Sequence, residues 1–68
     1  MDRIYIHGDW GSEEFTKLLN VNNIPRRGER ITTKDLEGRR FLYKVVSIEH
    51  FLDLKKEERT IHINVNRL

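Results

Sequence analysis

The chain of 68 residues contains no cysteine, a single proline and only four glycines. Without cysteine there is no disulfide, no thiolate ligand and no redox chemistry through sulfur. Small secreted domains generally need disulfides, so their absence points to a reducing, cytoplasmic setting. Long apolar runs are missing too. No stretch approaches the roughly 20 apolar residues of a membrane span, and Met1–His7 lacks the apolar core and small-residue cleavage site of a signal peptide. A dominant charge sign is also lacking. Thirteen basic residues stand against 11 acidic ones for a net charge of +2, so the total favours neither nucleic acid nor an acidic partner. Where the charges lie must decide.

The length fits one domain, residues 1–68, near the lower limit for folding without staples. Such a domain buries about 60% of the surface of its unfolded chain. With 37% hydrophobic residues there is material for one core, and self-association is the remaining common way to reinforce it.

Several segments carry strong local signals. Arg3–His7 alternates, with Ile4 and Ile6 on one face and Arg3, Tyr5 and His7 on the other, as in a half-buried strand. After Gly8-Asp9-Trp10-Gly11, Ser12 reads as a helix N-cap. Glu13 and Glu14 suit the helix dipole, and Phe15, Leu18 and Leu19 form an apolar stripe. This pattern predicts a two-turn helix ending near Asn20. Pro25 and Gly28 make a turn, followed by a strand over 29–33 and a short hairpin loop at Asp35-Leu36-Glu37-Gly38.

Phe41–Ile48 is dense in aromatic and β-branched residues, and its alternation changes phase at Val45-Val46, predicting a bulge or bend there. Lys55–Glu58 reads as a charged loop. Thr60–Asn66 alternates cleanly, with Ile61, Ile63 and Val65 inward. The expectation is a mainly β fold: a small SH3-like or OB-like antiparallel barrel of four or five strands, with one short helix between the first two. The alternative is an open twisted α+β sheet.

The series Ile24-Pro25-x-x-Gly28-Glu29-x-Ile31, Tyr43-x-Val45-x-x-Ile48-x-His50 and the Ile61/Ile63/Val65 strand resembles small SH3-like barrel proteins. These occur among uncharacterised bacterial, phage and mobile-element reading frames. The resemblance spans about residues 24–67 and rests on turn and core positions, so it implies a fold and transfers no catalytic role.

Arg26, Arg27 and Arg30 flank the first turn, Lys34, Arg39 and Arg40 flank the hairpin loop, and Lys44 follows on the next strand. Gathered along one edge they would form a phosphate-binding stripe, with Tyr5, Tyr43 or Trp10 to stack bases. Glu29, Asp35 and Glu37 are interleaved, and the plain alternative is a solvated surface.

The three histidines, His7, His50 and His62, include no close-spaced ligand pair, so no metal site is expected. His50 and His62 would lie on neighbouring strands. No G-x-S-x-G elbow or phosphate-cradling glycine loop is present, and Ser12 and Ser47 have structural explanations. No enzyme activity, cofactor or small-molecule substrate is expected. Trp10, either a core plug or an interface anchor, could join Phe51, Leu52 and Leu54 in an apolar patch.

The first expectation is therefore a non-enzymatic module that binds a protein partner or itself. It would use these residues and a sheet edge such as the terminal strand Thr60–Asn66. The second is a nucleic-acid-binding barrel using the basic stripe.

Overall fold

The computed structural model describes residues 2–20 and 22–68. Five strands are present: β1 (Asp2–Gly8), β2 (Gly11–Glu14), β3 (Arg30–Lys34), β4 (Arg40–Asp53) and β5 (Glu58–Arg67). They form one sheet in the order β2-β1-β5-β4-β3, curled into a half-barrel. The mainly β expectation is met. The antiparallel expectation needs one correction, because β1 and β5 run parallel, with Ile4 beside Ile61 and Ile6 beside Ile63. The terminal strand is also no edge. β5 lies between β1 and β4, and both its sides are paired.

The expected helix is absent among the described residues. Gly11-Ser12-Glu13-Glu14 instead forms β2, antiparallel to β1. The Phe15–Leu19 stretch makes one turn, in which the Leu18 and Leu19 N–H groups both donate to the Phe15 carbonyl. A single turn does not sustain a helix, and Phe15 and Leu19 are held by packing on the core. Asn20 then turns the chain by accepting the Asn22 N–H on its side-chain oxygen.

All of the fully buried side chains lie on the concave face. Ile4 and Ile6 from β1, Ile61, Ile63 and Val65 from β5, and Tyr43 and Val45 from β4 make the core, and Ile24, Ile31, Phe41 and Ile48 support it. The phase change in β4 is real, because the register with β5 slips between Val45 and Ser47. That bulge lets Val45 and Ile48 both face inward, and it bends the strand as a curled sheet requires.

Across the sheet the strands are staggered. β2 is level, through β1 and β5, with Ser47–Glu49, whereas β3 pairs with Arg40–Lys44. This stagger is the shear that strands in a barrel wall need. At the far end, β4 and β5 run on past β2 and β3, with β1 alongside β5 as far as Arg59, in a molecule 41 Å long.

Candidate functional site

The half-barrel leaves a trough between its two free edges. Ile6, Tyr43 and Val65 form its floor, Glu13 stands on the β2 rim, and Ile31–Lys34 form the β3 rim. Phe15, Leu18 and Leu19 reach in from the β2–β3 connection, Trp10 and Leu36 flank the mouth, and the space is about 660 Å³. Trp10 is 41% exposed, Leu18 80% and Leu36 fully so. Trp10 is partly exposed and not a buried plug. Its ring tilts against Tyr43, with centroids 4.8 Å apart, and covers the backbone of Gly8, where no Cβ would fit.

Trp10 does not meet the other apolar candidates. Phe51 pairs with Thr60 and Leu52 with Arg59, level with the start of β1, and Leu54 lies in the hairpin tip. Trp10 follows the other end of β1, so six positions of strand, roughly 20 Å, separate the two groups. Phe51, Leu52 and Leu54 remain exposed on the projecting hairpin.

The basic candidates divide in the same way. Arg30 lies directly opposite Lys44, and Lys34 opposite Arg40, all four on the outward face of the β3–β4 hairpin. None of these four forms an ion pair among the described residues. Like charges facing each other across a strand pair are destabilising unless an anion intervenes.

Arg39, by contrast, is spent on its own loop. Its Nε donates to Asp35 Oδ2 at 2.9 Å and its guanidinium lies 3.2 Å from Glu37. Asp35 Oδ1 accepts the backbone N–H groups of Glu37 and Arg39. The Arg39 backbone N–H, aided by its side chain, holds the Asp35 carboxyl below the usual aspartate range. Arg26 and Arg27 are exposed in the turn before β3, where the Arg26 N–H donates to Glu29. Among the described residues the stacking candidates do not interleave with these cations, and Trp10 packs on Tyr43. Tyr43 faces the core, and Tyr5 lies beyond both β4 and β5.

The outward face of β1 and β5 holds a cluster that sequence reasoning missed. His7 Nε2 lies 2.7 Å from His62 Nδ1, and His7 Nδ1 lies 2.5 Å from Ser12 Oγ. The rings of Tyr5, His62 and His7 group as a triangle, with centroids 5.8 Å apart for Tyr5–His62, 5.0 Å for His7–His62 and 6.5 Å for Tyr5–His7. Ser12 is thus a strand residue bonded to a histidine, not a helix cap. His50 does not share this face. It pairs with Ile61, whereas Glu49 is the residue opposite His62. Alternation put His7 and His62 on outward faces, but only the parallel pairing of β1 with β5 brings them together. At the other end of β1, Arg59 binds Asp2 through two hydrogen bonds and holds the Asp2 carboxyl below its ordinary value.

No protein-family model matches the chain, and no curated protein or solved structure matches it.

Proposed function

We propose that the chain is a non-enzymatic, cytoplasmic protein-interaction module whose trough receives an extended polypeptide segment. The single observation behind this is the coincidence of two unpaired strand edges with an apolar floor between them. An added strand gains affinity from main-chain hydrogen bonds to either rim and selectivity from side chains that enter the trough. Its small size and its resemblance to mobile-element barrels suit an inhibitor or adaptor acting on a larger protein.

The Ser12–His7–His62 chain has the contacts of an activated nucleophile. It lies on a convex sheet face, outside the trough, and serves this reading as a structural tie joining β2, β1 and β5.

The test is selection of a random-peptide library on the immobilised protein. Sequences with alternating apolar residues should be enriched, and the enrichment should vanish on Ile31→Glu, which puts a charge on the rim facing the trough. Equal recovery on both proteins would overturn the proposal.

A second reading is nucleic-acid binding, and the opposed Arg30/Lys44 and Lys34/Arg40 pairs favour it. An oligonucleotide held by these cations should bind at low salt and lose affinity steeply as salt rises. No binding at low salt would remove this reading.

A further inference from the structure

The two rims of the trough carry opposite charge. β2 reads Gly11-Ser12-Glu13-Glu14, with two acidic residues and no basic one, and all four residues are exposed. β3 reads Arg30-Ile31-Thr32-Thr33-Lys34, with two basic residues and no acidic one. We infer that a second copy of this chain covers the trough, β2 of each copy pairing with β3 of the other around a two-fold axis. This deepens the interaction-module reading and rests on it.

Strand direction, hydrogen-bonding parity and charge all agree with this arrangement. β2 is antiparallel to β1, β1 is parallel to β5, and β4 and β3 alternate in turn, so β2 and β3 run in opposite directions. A two-fold axis along the strands keeps those directions and swaps left rim for right, so each seam is antiparallel. In β3, the Val45 N–H donates to Glu29 and the Asp35 N–H donates to Arg39. Residues of odd number therefore bond toward β4, and the backbone groups of Arg30, Thr32 and Lys34 point to the open edge. In β2, the Phe15 N–H donates to Ile4, which leaves the backbone groups of Ser12 and Glu14 on the open edge.

The outward-bonding residues of both edges carry their side chains on the convex face, so joining them continues the sheet without a face reversal. Pairing Glu14 with Arg30 and Ser12 with Thr32 satisfies the backbone and sets opposite charges across each seam. The other two-fold arrangement, β2 on β2 and β3 on β3, would oppose like charges at both seams. Closing two half-barrels in this way removes all free edges and covers Leu18, Leu36 and Trp10.

Sedimentation and native mass spectrometry test this with charge-swapped variants. The wild type should run at twice its 8.2 kDa monomer mass. E13K/E14K and R30E/K34E should each be monomeric alone and should dimerise when mixed. The quadruple variant carrying all four changes should dimerise by itself, because both seams are inverted together.

A wild-type monomer at high concentration, or a species growing beyond the dimer, would overturn the inference. So would a quadruple variant that stays monomeric while folded by circular dichroism. Hydrogen exchange on the wild type needs no variant: the amides of Thr32 and Glu14 should gain protection as concentration rises. Unchanged exchange overturns the inference. A monomeric wild type that still selects peptides through Ile31 would refute self-pairing alone, whereas a monomer that selects none would refute the module reading too.

Discussion

The middle of the sheet and its two rims are built from different chemistry. In the β1–β5–β4 seam, Ile4, Val45, Ile61 and Ile63 are almost wholly shielded from water, and no polar side chain among the described residues is buried with them. In β2 every residue is exposed, and β3 buries no side chain fully. The seam holds the domain together; the rims add charge and unpaired backbone and little burial. A domain of 68 residues with one thin core concentrates its stability there, and its edges contribute little to it.

The sharpest way to break this contrast is to hollow the seam. Ile63 has no exposed surface, and Ile63→Ala should destabilise the fold by about 2–5 kcal/mol. Total stability for a chain this size is of the same order, so the variant should be largely unfolded in chemical denaturation. Thr32→Ala on the β3 rim should shift the same curve by no more than about 0.5 kcal/mol. Comparable losses at both positions would erase the distinction.

A smaller effect is expected where seam and rim meet. An added methyl at Gly8 would lie within the Trp10 ring, which must then leave Tyr43. Gly8→Ala should cost about 1–3 kcal/mol through overpacking. Trp10 is the only tryptophan, so its emission should shift to the red as the ring enters water. Unchanged emission would show that the aromatic pair does not join the two regions.

The same contrast decided what the sequence made legible. The seam strands are read from strict alternation, and the bulge at Val45-Val46 from a break in it, because burial on one face imposes a period of two. The turns at Pro25–Gly28 and Asp35–Gly38 follow from backbone chemistry, and Gly28 and Gly38 do adopt positive φ. β2 was illegible because an exposed edge strand has no buried face to impose a pattern. Gly-Ser-Glu-Glu looks like a helix start, and Phe15, Leu18 and Leu19 mimic a helical stripe while lining the trough from the β2–β3 connection. The trough and the His7–His62 contact depend on β1 lying parallel to β5, a pairing between the two ends of the chain that no local pattern encodes.

The hairpin loop at the top of β3 offers a weaker, pH-dependent test. Asp35 is held below its usual pKa by Arg39, so its ionised form stabilises the loop above the ordinary aspartate range. That contribution is lost as pH falls through the lowered value. Asp35→Asn should therefore be slightly less stable than wild type at neutral pH, and the two should converge in acid. A gap independent of pH would mean that the carboxylate charge is not what orders the loop.

The smallest expected effect has an unusual sign. Arg30 faces Lys44 directly, and a carboxylate at position 30 would turn a repulsive cross-strand pair into an attractive one. Arg30→Glu should raise the stability of the dilute monomer by about 0.5 kcal/mol. If two copies pair as proposed, the same change removes the cation opposite Glu14, and self-association should fall as monomer stability rises. Denaturation at low concentration, set beside sedimentation at high concentration, separates the two effects. A rim selected for stability would lose both together. A rim that serves self-contact gains one while losing the other.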